Sequence, residues 1–220
     1  MNEPDVALTD FALALEAAVF VHLLSRRPTR SKLLRFWLLI FFASVGTASL
    51  AGGLVHGFFA DSDAGGIILW RIVLLAIGSA TLAEWSVGAM LLFPERVAWW
   101  IRAAAAIEYV VYVFLVLFVV QDFWIAVVDN APGAFCFMIG LAWTFRRMKD
   151  IWLLAAAAGM GMTMMSGLLQ QMQVGLHAKY FNHNALYHVL QGTALFLVFL
   201  GSRPLVSDWK PNEQGALEPE

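Results

Sequence analysis

Between Pro94-Glu95-Arg96 and Gln121-Asp122 the chain runs through Val97–Val120 on predominantly apolar residues. A helix needs roughly 20 such residues to cross the hydrocarbon core of a bilayer. Inside that core every backbone group has to be satisfied by the chain itself, which leaves helices and closed barrels as the spanning structures. Six further segments follow the same rule: Val6–Leu24, Leu33–Ala60, Ile67–Phe93, Phe123–Phe145, Ile151–Gln170 and Asn184–Leu200. The connections are short except Gln171–Asn182. The expected fold is therefore all-α, a single bundle of seven transmembrane helices over residues 1–205, followed by a short polar tail, 206–220. Composition agrees. Of 220 residues 60% are hydrophobic and 14% charged, against about 45–50% and about 25% in a soluble domain.

Basic residues set the orientation of such a bundle. Arg26, Arg27, Arg30 and Lys32 follow the first segment, Arg96 the third, and Arg146, Arg147 and Lys149 the fifth, with Arg203 and Lys210 near the end. The other side carries the acidic start of the chain, Asp61, Asp63 and Asp122, with Lys179 as its one basic residue. This predicts an N-terminus outside and a C-terminus in the cytoplasm, with a bacterial inner (plasma) membrane as the expected location. Trp70 and Trp124 mark the outer interface and Trp37, Trp99, Trp100, Trp143 and Trp152 the inner one. Met1-Asn2-Glu3-Pro4-Asp5 lacks the basic region of a signal peptide. No basic patch is interleaved with exposed aromatic residues, so nucleic acid is not an expected partner. Membrane lipids are, and oligomeric state stays open. The single Cys136 excludes an intramolecular disulfide.

Polar residues inside such segments are expensive and mark function. Counting depth at about 1.5 Å per residue puts His56 and His188 roughly 6–7 Å below the outer boundary, with Glu16, Asp129 and Asn130 near 9 Å. Four helices thus offer a polar group to one outer layer. Asn184, His188 and Gln191 form one stripe on the seventh helix, and Ser49, Gly52 and His56 one face of the second. His183, about 140° around from His188, falls off the stripe if helical and is expected to precede the helix, with Asn182 or Asn184 as its cap.

Plainer roles stand beside these. His56 alone suits an interhelical hydrogen bond, and Glu16 a structural partner for a histidine. Asp129-Asn130-Ala131-Pro132-Gly133 suits repair of the backbone groups freed by a proline kink. Glu84 and Glu108 fall outside the layer, Arg71 is expected to reach Asp61 or Asp63, and His22 to lie at the inner interface. Met160, Met162, Met164, Met165 and Met172 suit gap-filling beside the small residues Ala155–Gly161 better than copper ligation. With no lysine inside any span, a retinal Schiff base is excluded.

Seven spans, a histidine near the end of the second and two near the start of the seventh resemble the superfamily of alkaline ceramidases, adiponectin and progestin receptors and haemolysin III-like proteins. The resemblance covers the whole chain in topology and only short motifs in sequence. It implies a zinc ion held by His56 and His188, a member of a seventh-helix pair spaced His-x-x-x-His. Here Asn184 stands where that pair's first histidine would, Gly52 where a serine is expected, and the third helix has no aspartate. The third ligand then falls to His183, Glu16 or Asp129.

Two functions follow as expectations. One is a zinc-dependent hydrolase of a lipid amide or ester, its metal on His56, His188 and His183 or a carboxylate. In it Glu16 or Asp129 is the general base, and Asn184, Gln191 and Ser49 hold the substrate or its oxyanion. The other is a non-enzymatic transporter or sensor with a protonatable pocket in the same layer, favoured by the helix-breaking Asp129–Gly133 run. Haem held between two histidines is a third possibility.

Overall fold

A computed structural model of the chain describes residues 3–59, 64–177 and 181–210. Asp61, Asp63, Lys179 and the tail beyond residue 210 lie outside them. The chain forms seven helices: α1 Pro4–Ser25, α2 Lys32–Phe58, α3 Ala64–Leu92, α4 Glu95–Phe118, α5 Phe123–Met148, α6 Ile151–Gln171 and α7 His183–Asp208. All seven are long and apolar enough to cross a membrane. This is an all-α membrane protein.

Local chemistry sets most of the ends. Pro4 opens α1, where its missing N–H costs nothing. Ser31 caps α2 by accepting from Leu34 N at 3.2 Å, and Asp150 caps α6 by accepting from Trp152 N at 2.9 Å. Lys149 turns left-handed at φ 56° to stop α5. Helix α7 runs past its Pro204 to Asp208, with Leu205 and Val206 buried. Its last turns are held by packing and by Arg30 N donating to Val206 O at 3.4 Å.

The helices pack as a closed ring in the order α1, α2, α3, α5, α6, α7 and back to α1. Helix α4 stands outside it against α3 and is the least buried of the seven. Helices α2 and α7 barely touch, because α1 sits between them. In the half of the ring near the basic connections the centre is filled with Phe41, Phe42, Phe137, Leu141, Leu153 and Leu195. Phe20 stacks on Phe199 there, with centroids 4.2 Å apart. The perimeter exposes apolar side chains such as Leu15, Ile68, Ile107, Val110, Phe114 and Val128, as a lipid-facing surface requires.

Candidate functional site: a polar cavity inside the helix ring

In the other half the ring is hollow. A partly open cavity of about 230 Å³ is lined by residues of all six ring helices and by none of α4. Its floor is Leu13, Phe41 and Val45, and its walls include Trp70, Phe123, Met164 and Tyr187. The polar side chains reaching it are Asp10, Ser49, His56, Glu84, Asn130, Thr163, Gln170, Asn184, Tyr187, His188 and Gln191.

Helix α1 supplies the carboxylate that matters most. Its buried stripe is Val6, Asp10, Leu13, Ala17, Phe20 and Leu24, stepping by alternate fours and threes. Asp10 therefore points inward, 3% exposed. The approach is possible because Gly52 of α2 lies opposite: a Cβ there would sit 3.0 Å from Asp10 Oδ2. Gly53 similarly accepts the ring of Phe11, whose Cε1 would lie 2.7 Å from an added Cβ. These two glycines of α2 let α1 approach closely.

Asp10 Oδ1 lies 3.3 Å from His188 Nε2. The other ring nitrogen, Nδ1, is 3.1 Å from Thr9 Oγ1. Thr9 also donates back along its own helix, to Val6 O at 2.8 Å and Asp5 O at 3.0 Å. The two contacts fix the ring between Thr9 and Asp10, and the tautomer of His188 sets which side donates at each nitrogen. Asp10 Oδ2 is buried and has no hydrogen-bond partner among the described residues. An orphaned buried acceptor costs about 1–3 kcal/mol.

His56 has a different partner. The start of the chain crosses the end of α2, with Glu3 N donating to His56 O at 3.0 Å. His56 Nδ1 donates to Glu3 Oε2 at 2.6 Å. Across the cavity, Asn130 donates from Nδ2 to Glu84 Oε2 at 2.8 Å and to Thr81 Oγ1 at 3.2 Å. On α7, Asn182 is the cap, accepting from Asn184 N and Ala185 N, and His183 is the first helical residue, not one that precedes the helix. Gln191 accepts from Ser166 at 3.2 Å and Asn184 from Gln170 Nε2 at 3.0 Å.

Of the residues expected at the site, His56, His188, Asn184, Gln191 and Ser49 line one cavity, and Glu16, Asp129 and His183 are not in its lining. Glu16 faces α7, where a Cβ on Gly192 would lie 3.1 Å from its Oε2. Asp129 stands near Thr81 and Glu108 instead. Glu84, expected outside the layer, does line the cavity. The aspartates expected to meet Arg71, Asp61 and Asp63, lie outside the described residues; with the Gln121 amide oxygen turned towards it, Arg71 donates from Nη2 at 2.9 Å and Nε at 3.2 Å. Asp10 is the residue missed outright. Pro4 begins α1, which sets Asp10 about 9 Å inward of the helix start. The proline, and the stripe it starts, were the available signal.

The donors for a zinc ion do not converge here. Among the described residues no three His, Cys, Asp or Glu side chains are placed to hold a metal. Because α1 lies between α2 and α7, its own Glu3 and Asp10 reach the two imidazoles first.

The fold and its site define a class, a seven-helix membrane protein with a polar cavity enclosed by six of its helices. The chain belongs to DUF6962, a family of unknown function whose model matches residues 6–206. No curated protein and no solved structure matches it. The family match makes no link to the alkaline ceramidase and receptor superfamily.

Proposed function

We propose that the protein is a non-enzymatic membrane protein, a transporter or sensor, which binds a small molecule in the ring cavity beside a protonatable pair. The observation that carries this reading is the Asp10–His188 contact on the cavity wall, with Asp10 Oδ2 left unpartnered. Two titratable groups in contact at a binding surface couple occupancy to protonation. Positive connections at the opposite end support an outside N-terminus, which puts the cavity in the outer half of the bilayer.

The hydrolase reading has less support. It needs three gathered metal donors, or else a nucleophile beside a base. Thr9, His188 and Asp10 do stand in the order nucleophile, base, orienting group. Thr9, however, is absent from the cavity lining and its hydroxyl serves the helix backbone.

The test is an infrared pH titration of the protein in lipid with chelator present. A carboxyl band that titrates in the wild type, is lost in Asp10→Asn and shifts in His188→Gln is the expected result. A spectrum indifferent to both substitutions overturns the reading. So does stoichiometric zinc in purified protein that is lost in His56→Ala and His188→Ala, which selects the hydrolase.

A further inference from the structure

The polar groups of the cavity are unevenly chosen. Among the described residues no lysine or arginine lines it. Two carboxyl groups do, from different helices, Asp10 of α1 at 3% exposure and Glu84 of α3 at 1%. The rest of the polar lining consists of neutral amides and hydroxyls and the two imidazoles. Such a lining has no permanently charged cation with which to pair an anionic ligand.

One of the two carboxyl groups is incomplete. Glu84 is held by the Asn130 amide at Oε2. Asp10 has His188 on Oδ1, and its Oδ2 is buried with no partner among the described residues. Oδ2 is turned towards Gly52 of α2, so the part of Asp10 that belongs to the cavity is the side holding His188.

The remaining surface is aromatic and apolar. Phe41, Trp70, Phe123 and Tyr187 line the cavity from four helices, and Tyr187 stands edge-on to Phe123 with centroids 5.9 Å apart. Aromatic faces attract a cation most strongly where water is excluded. Carboxylates and aromatic faces together favour one ligand chemistry, a positive charge on an apolar body.

We infer that the cavity binds a small organic cation, an amine or quaternary ammonium with an apolar substituent, its charge beside Asp10 and its body against the aromatic walls. The inference rests on the proposed binding function and supplies its ligand class. Size restricts the ligand further. About 230 Å³ is room for a single-ring ammonium. The groups facing Asp10 are His188 and Tyr187 from α7, His56 from α2 and, across the chamber, Glu84 of α3 with Asn130 beside it. Among the described residues no lysine or arginine competes for the place.

The experiment compares three probes of like shape on full-length protein in lipid nanodiscs, with empty nanodiscs as blank: phenyltrimethylammonium, its neutral isostere tert-butylbenzene, and benzenesulfonate. Saturable binding of the cation, at least tenfold tighter than either other probe, is expected. It should weaken tenfold or more in Asp10→Asn and in Glu84→Gln, and vanish in Ala126→Trp, which fills the chamber. Equal or tighter binding of the neutral or anionic probe, blocked by Ala126→Trp, overturns the cation while the binding function survives. Absence of saturable binding by all three overturns both. The three-probe comparison on wild-type protein decides the matter even where a variant fails to fold.

Discussion

His188 has two ring nitrogens with two different partners, and the balance of hydrogens between them is what makes the residue informative. Thr9 also bonds back to its own helix at 2.8 Å, which holds its hydroxyl beside Nδ1 while Asp10 stands at Nε2. Asn182 is as telling in a smaller way. Its side chain takes two otherwise orphaned backbone N–H groups at the start of α7, while its own N–H points at Asp5 Oδ2 3.4 Å away. It thereby ties the mouth of α7 to the start of α1. Asn182→Ala should lower stability by about 1 kcal/mol, read as a drop in the thermal midpoint in detergent, and Asn182→Asp should largely preserve it. At this scale the sequence was partly legible. The helical spacing of Asn184, His188 and Gln191 is a property of one segment, and all three do line the cavity. Which carboxylate meets His188 depends on the register between two segments distant in sequence. Asp10 and Glu16 are both acidic, both on the first helix, and separated only by which face α1 buries.

Elements meet where side chains are smallest. Gly88 of α3 faces α5 so closely that a Cβ would stand 2.7 Å from Cys136 Sγ and 2.9 Å from Phe137 N. Gly201 of α7 lies against Ala156, where a Cβ would come within 2.7 Å of Trp152 O. Backbone atoms cannot step aside as a flexible side chain does, so the whole helix would have to move. Gly88→Leu is therefore expected to cost about 1–3 kcal/mol or more and to disperse the size-exclusion peak of the purified protein. Gly161→Ala, where the nearest atom is Met138 Sδ at 3.6 Å, should leave it unchanged. Spans are readable one at a time because length and apolarity are local. Their neighbours are not. Helix α4 has the same mean hydropathy as α2 and α3, 2.0, yet it stands outside the ring. Apolar composition meets lipid and protein alike, so nothing in the segment announces which it will face. The insertion of α1 between α2 and α7 was hidden for the same reason, and with it the separate partners of His56 and His188.

For the whole molecule the decisive asymmetry is between its two ends. One end of the ring is filled with aromatic side chains and flanked by Arg26, Arg27, Arg146, Arg147 and Lys149; the other is hollow and carries the Asp10–His188 pair. Cytoplasmic loops are enriched in lysine and arginine because such loops resist translocation, so the hollow end should face outwards and receive its ligand from that side. A reversed protein would have its cavity open to the cytoplasm, and the direction of any transport or sensing would reverse with it. Because Cys136 is the only cysteine, orientation can be read by labelling. In a Cys136→Ala background, Val174→Cys places a thiol in the α6–α7 connection at the hollow end, on a residue that is 40% exposed. Ser25→Cys places one on the exposed last residue of α1 at the filled end. A membrane-impermeant maleimide on intact cells should modify the first and spare the second until the membrane is permeabilised. The opposite pattern would reverse the topology and move the cavity to the cytoplasmic leaflet. The cation-binding comparison would be untouched by that outcome, because the chemistry of the chamber is independent of the side on which it opens.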